Sequence, residues 1–142
     1  MTTSHRVPAA KISAVVSDVD GTLVTDDKIL TARSVAAVAE LCARGIVFTI
    51  VSARPPRGLR MLLDPLNITH PIASFNGGVI ATSDLSVITE HLLPAAVARD
   101  AVDMLDAQDV EVWVFAGQDW LVRRSEGPYI AREERTVQFG PT

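Results

Sequence analysis

Asp18 and Asp20 stand two residues apart in the run Asp18-Val19-Asp20-Gly21-Thr22-Leu23, directly after the apolar-rich residues 12–17. In an extended backbone, residues two apart project to the same side. Two carboxylates so close repel each other, and a cation between them relieves the repulsion. A hard divalent ion with oxygen ligands, such as Mg2+, suits such a pair. One carboxylate can attack phosphorus to give an aspartyl-phosphate. Its neighbour can protonate the leaving oxygen and later activate water. The bland reading of a lone pair at this spacing is a solvated turn. A calcium loop of EF-hand type starting at Asp18 fails, because its sixth and twelfth positions hold Leu23 and Ile29 instead of Gly and Glu.

The elements around the pair must place it. Residues 12–17 (ISAVVS) are rich in β-branched side chains and read as a buried strand. Residues 18–28 form a loop at that strand's C-terminal end. Thr31 is a good N-cap, Val35, Val38, Leu41 and Cys42 recur at helical spacing, and Gly45 stands where a helix stops. Residues 46–51 (IVFTIV) make a second strand, so the first half opens with a βαβ unit and parallel strands. Open parallel sheets bind ligands at the carboxyl ends of their strands, where Asp18 and Asp20 lie. A helix over residues 56–66, a strand over 71–75 and a hairpin pairing residues 79–80 with 87–88 are expected next. A helix opening at Pro94 and an antiparallel pair over 111–116 and 120–123 follow. The pattern thus changes from parallel α/β to helix plus antiparallel strands near residues 85–94.

Composition narrows the class. The chain has 142 residues, of which 48% are hydrophobic and 21% charged, enough apolar material for a packed core. Its net charge of −4 lacks the basic excess of a nucleic-acid binder. No apolar run is long enough to span a bilayer. Residues 1–10 read as a flexible polar tail without the apolar core of a secretory signal. A single cysteine, Cys42, cannot pair within the chain, and a reducing, cytoplasmic setting is expected.

Three motifs resemble the haloacid dehalogenase-like (HAD) hydrolase superfamily. Asp18 through Leu23 match its signature of a strand followed by D-x-D-G-T-[LV]. Ser52-Ala53-Arg54, at the end of the second strand, is similar to its second motif. Asn76-Gly77-Gly78 looks like the turn of the Cof-type (subfamily IIB) branch. The resemblance implies an α/β fold: a three-layer Rossmann-like core with a parallel sheet, then the start of an α+β cap. The divisions expected are a tail over residues 1–10, the N-terminal half of the core over 11–84, and the beginning of the cap over 85–142.

The resemblance also implies roles. Asp18 would be the nucleophile and Asp20 the general acid and base. The Asp18 carboxylate and the Asp20 carbonyl would ligate Mg2+, and Ser52 would bond the phosphoryl oxygens. Ala53, Arg54, Asn76 and Gly77 would complete the phosphate-binding loops. Bland readings stand beside these: Ser52 as a strand-end turn former, Arg54 as an exposed structural residue. For Asn76, acceptance of a left-handed turn beside Gly77 is favoured over a phosphate contact.

Two parts of the family pattern do not occur in the chain. No lysine follows the second motif, since the only lysines are Lys11 and Lys28, both read as solvated. No late Gly-Asp acidic motif occurs either; Asp100, Asp103, Asp106, Asp109 and Glu111 read as the wet face of a helix. The core is therefore expected to be incomplete, with the chain stopping inside the cap. Its first strand would be a free edge, open to self-association.

The remaining candidates carry bland expectations. Cys42 is expected to be buried. His5, His70 and His91 lack metal-ligand spacing. Trp113 and Trp120 are expected to cover the cap's sheet, and Arg123, Arg124, Arg132 and Arg135 to form a solvated face or a contact for substrate.

The function read from all this is an Mg2+-dependent phosphatase acting on a small phosphorylated metabolite, such as a sugar phosphate, with no nucleic acid or membrane as partner. The alternatives are a catalytically incomplete binding or self-associating module, or a phosphomutase of the same branch.

Overall fold

A computed structural model of the chain describes residues 11–142. The expected N-terminal tail, with His5, lies outside them. β1 (Ala14–Asp18), β2 (Val47–Val51) and β3 (Ile72–Ser74) run parallel, and β4 (Val79–Ala81) and β5 (Val87–Glu90) extend the sheet antiparallel, in the order β1-β2-β3-β4-β5. The expected boundary at residue 84 falls within the β4–β5 hairpin. α1 (Ala32–Ala43) links β1 to β2; its cap Thr31 accepts from the Ser34 N–H at 3.1 Å, and Gly45 takes φ 71° just past its end.

The strand register sets the geometry of everything that follows. Asp18 pairs with Val51, and Val51 with Ala73, so the C-terminal ends of the three parallel strands are level. The loops after them, 18–24, 52–55 and 75–78, therefore emerge side by side. Beneath them Val19, Phe48, Ile50, Leu59, Leu62 and Ile72 pack into one apolar cluster. Among the described residues β1 is an edge, and Val16 on it is 62% exposed, as expected of an unfinished sheet.

The expected helix over 56–66 is shorter and broken. A 3-10 turn, Pro56–Leu59, leads into a single α-turn, α2 (Arg60–Leu63). The preceding proline and Gly58 keep the start from settling into a longer α-helix. Gly58 has a further role, because a Cβ there would stand 3.1 Å from the Cβ of Val137.

Val137 belongs to an element the sequence pattern did not announce, α4 (Ile130–Val137). Five of its eight residues are polar, and only Ile130 and Val137, seven apart, are buried. Two apolar anchors are too few to raise a periodic signal. α4 is preceded by α3 (Ala95–Asp106), β6 (Trp113–Ala116) and β7 (Asp119–Val122), the last two an antiparallel hairpin around Gly117. A second apolar cluster forms here from Trp120, Ile130, Val137 and Phe139, with Trp113 and Phe115 against it. Trp113 and Trp120 meet edge to face at 5.1 Å, which agrees with the expected packing on the strand face.

Cys42 departs from expectation: it is exposed. It lies on the last turn of α1, where the helix overhangs the start of β2, and lines an open groove with Phe48, Asn67 and His70 instead of entering the core.

Candidate active site

Asp18 is the last residue of β1, and its side chain is exposed at the level strand ends. The chain then turns tightly: the Val19 carbonyl accepts from the N–H groups of Leu23 at 2.9 Å and Val24 at 3.1 Å, with Val19 fully buried. Gly21, at φ 78°, permits this reversal. Thr22 Oγ1 donates to Asp18 Oδ2 at 3.2 Å, which orients the carboxylate and leaves it open to solvent.

Asp20 is held by two cations. Arg54 Nε donates to its Oδ2 and Arg54 Nη2 to its Oδ1, each at 2.8 Å, a two-pronged pair. Lys28 Nζ joins Oδ1, also at 2.8 Å. Hydrogen bonding from the Arg54 guanidinium, aided by Lys28 and opposed by burial, holds the Asp20 carboxyl down to about 2. It is therefore ionised at neutral pH.

Lys28 was expected in solvent, and the structure corrects that. Short bridges join Asp20 to Val24 and Val24 to Leu30, folding residues 20–30 into a flap. Lys28 takes φ 64° at its tip, where its N–H bonds to the Thr25 carbonyl at 2.9 Å, and the side chain returns over Asp20. The only signal in the sequence was the turn-forming pair Asp26-Asp27 ahead of it, which says where the chain reverses but not where the ammonium lands.

Arg54 is buried, so the exposed structural reading does not hold. Besides Asp20, it donates through Nη1 to the Gly58 carbonyl at 3.2 Å. It fastens the acid to the turn after β2. Ser52 is equally buried; its Oγ accepts from the Arg54 N–H at 3.2 Å, the bond of a turn former, and its hydroxyl proton remains free to donate. Ala53 is exposed between them.

The loop after β3 is tied to the same place. The Asn76 N–H bonds to the Ser52 carbonyl at 2.8 Å and the Phe75 N–H to the Arg54 carbonyl at 3.1 Å. Asn76 at φ 55° and Gly77 at φ 93° form the left-handed turn favoured for them. Thus Asp18, Asp20, Ser52, Ala53, Arg54, Asn76 and Gly77 all lie on three neighbouring loops.

Glu133 on α4 was not anticipated at all. It is half-buried and lies one helical turn before Val137, which abuts Gly58. Burial pushes its carboxyl up; Arg54 pulls it down, Asp20 pushes it further up, and Lys28 and Arg132 pull it down. The basic cluster proposed nearby is partly spent elsewhere, since Arg123 pairs with Asp106. Asp100 and Asp103 are exposed on α3, as expected, but the helix ends at Asp106, so Asp109 and Glu111 are exposed beyond it and not on its face.

The donor set suits a hard cation as a partial shell. The Asp18 carboxylate is open, and the Asp20 carbonyl follows two residues on. Mg2+ commonly takes one or two carboxylates and keeps several waters, with substrate phosphate completing its shell. Among the described residues no group of three His, Cys, Asp or Glu side chains gathers as an all-protein cage.

Comparison with known proteins identifies the family. A family model of haloacid dehalogenase-like hydrolases matches residues 15–141. A curated relative, the 5-amino-6-(5-phospho-D-ribitylamino)uracil phosphatase YitU of Bacillus subtilis, is 32% identical over 95 residues, covering 66% of this chain and 35% of that protein. A haloacid dehalogenase-like hydrolase structure from Bacteroides thetaiotaomicron superposes with TM-score 0.82 at 24% identity, over 93% of this chain and 51% of that one. A HAD/COF-like hydrolase structure from Plasmodium vivax gives TM-score 0.78 at 17% identity, over 95% and 50%. The chain spans about half or less of the length of these proteins. With the strand-end aspartates, the level loops and a family model spanning nearly all its described residues, the chain belongs to the haloacid dehalogenase-like hydrolases.

Proposed function

We propose that the chain carries the nucleophile half of an Mg2+-dependent phosphomonoesterase acting on a small phosphorylated metabolite. The observation behind this reading is an open carboxylate, Asp18, beside a second one, Asp20, that two cations hold. In the first step an Asp18 oxygen attacks phosphorus, the bond to the ester oxygen breaks, and the leaving alcohol takes a proton from Asp20. In the second, Asp20 takes a proton from water, the water oxygen attacks the aspartyl-phosphate, and inorganic phosphate leaves Asp18 free. Ser52 donates to a phosphoryl oxygen, and Asn76 and Gly77 keep the neighbouring loop in place. Asp18 and the Asp20 carbonyl would hold Mg2+, which neutralises phosphoryl charge.

Asp20, held down to about 2, is ionised at neutral pH and can accept the water proton, but that hold makes it a weak base until it is relaxed. The acid step needs it protonated. A phosphoryl dianion arriving beside Lys28 and Arg54 shares their charge, weakens their hold on Asp20, and moves its proton affinity upward.

The proposed partition is a core over residues 11–84 and a cap over 85–142; the first apolar cluster lies in the core but takes in Leu85, β5 extends the core's sheet, and the second cluster lies in the cap. A cytoplasmic location fits the lone Cys42. A second reading, a self-associating module, draws on the free edge of β1 and its exposed Val16.

Hydrolysis of a generic aryl phosphate, with and without Mg2+, tests the main reading. Asp18→Asn should lower turnover by roughly 10⁴-fold or more while circular dichroism stays unchanged. Full activity in that variant overturns the assignment; silence of the well-folded parent chain favours the module.

A further inference from the structure

Arg54 directs one of its three nitrogens away from Asp20. Nε and Nη2 hold the carboxylate, while Nη1 donates to the Gly58 carbonyl at 3.2 Å and lies 3.7 Å from Met61 Sδ. A guanidinium is planar and rigid, so its donors move together. A shift of the Gly58 carbonyl therefore tilts the two donors that face Asp20. The Arg54 side chain is 2% exposed, and losing an acceptor there is costly.

The turn that carries this carbonyl is held from both sides. Leu59, fully buried, fixes it in the first apolar cluster. Gly58, also buried, faces α4: a Cβ on it would stand 3.1 Å from Val137 Cβ and 3.3 Å from Val137 Cα. α4 thus rests on bare backbone, at an approach that only glycine allows. The neighbouring Arg57 places its guanidinium 4.4 Å from the centre of the Phe139 ring. Val137 and Phe139 both pack with the fully buried Trp120 of β7. The two apolar clusters therefore meet at residues 57–59, and Arg54 is anchored at that junction.

We propose that Gly58 is a positioning residue for Asp20. The seat of α4 on its bare Cα fixes the carbonyl that orients the Arg54 guanidinium, so the placement of the β6–β7 hairpin and α4 sets the aim of the second carboxylate. Asp20 is the acid and base only on the phosphatase reading; the coupling itself needs no reaction. The path has three contacts, Val137 to Gly58, Gly58 to Arg54 and Arg54 to Asp20, and each joins different elements of the fold.

The test reads the Nε–H resonance of Arg54 by NMR in the full chain, assigned by its loss in Arg54→Lys. General loss of stability changes how much protein is folded and leaves this native resonance where it is. Gly58→Ala should move it towards the position of a free arginine, and Gly58→Ala/Val137→Ala should return it. A resonance unmoved in Gly58→Ala, or still displaced in the double variant, overturns the inference. Should Gly58→Ala fail to fold, Phe139→Leu loosens the same seat from a distance; a resonance unmoved there overturns the inference equally. On an aryl phosphate, Gly58→Ala should lower kcat about tenfold with KM nearly unchanged, and the double variant should recover it. A moved resonance in a chain without turnover keeps the coupling and counts against the phosphatase reading. An unmoved resonance in an active chain does the reverse.

Discussion

Arg54 grips both carboxylate oxygens of Asp20 at 2.8 Å from a side chain that is 2% exposed. The residue that fixes the acid is more deeply buried than the acid itself. A guanidinium presents two parallel donors to a carboxylate, which a lysine ammonium cannot do. Arg54→Lys should therefore lower kcat/KM by about 10- to 100-fold through misplacement of Asp20. The acid limb of the pH–rate profile should move upward, because the hold that keeps Asp20 near 2 is relaxed. A pH profile unchanged in shape would remove Arg54 from this positioning role.

Two carboxyls give stability opposite dependences on pH. Asp20 is lowered on folding, so its contribution is present above the ordinary value of 3.8 and is lost as pH falls towards 2. Glu133 is raised, mainly by burial, so its contribution is present below 4.5 and is lost as pH rises through its shifted value. Glu133→Gln should raise the melting temperature at pH 7 and leave it nearly unchanged at pH 4. Thermal melts of both proteins across that range check the sign.

Gly58 and Val137 are close enough that a methyl group cannot be added without movement. Gly58→Ala should cost about 1–3 kcal/mol by pushing α4 away from the turn at Pro56–Leu59. Urea unfolding measures it. In a double-mutant cycle, Val137→Ala should recover part of the loss, because the added methyl then meets a smaller neighbour.

The edge of β1 should act as a contact. The Ser13 carbonyl accepts from the Val47 N–H at 3.0 Å, so the alternate residues Ala14 and Val16 direct their backbone groups away from β2. With Val16 exposed beside them, the melting temperature should rise with protein concentration. Val16→Lys places a charge on the edge and should abolish that dependence. Sedimentation velocity at several concentrations decides between the two behaviours.

Much of the fold was legible locally. The strand before Asp18, the Thr31 cap, the Gly45 stop and the Gly117 turn are each written in a few adjacent residues, because period and cap chemistry act over short range. The helix over 56–66 was overestimated, since Leu59, Leu62, Leu63 and Leu66 suit a helix face while the prolines and Gly58 break its start. α4 was missed because its two anchors are meaningful only against Trp120 and Phe139, which come from other elements.

The same division holds at the site. The amino-acid sequence alone determined where the two strand-end carboxylates stand, because Asp18, Asp20 and Gly21 are fixed by one strand end and one turn. It also determined which loops reach that end, through the βαβ order. Only the tertiary structure decided what surrounds Asp20. Lys28 arrives by a flap, Arg54 by the level register of β1 and β2, and Glu133 by the seating of α4 at Gly58. Charge acts through space rather than along the chain, so residues far apart in sequence set the proton affinity of one carboxylate, and their meeting exists only in the folded molecule.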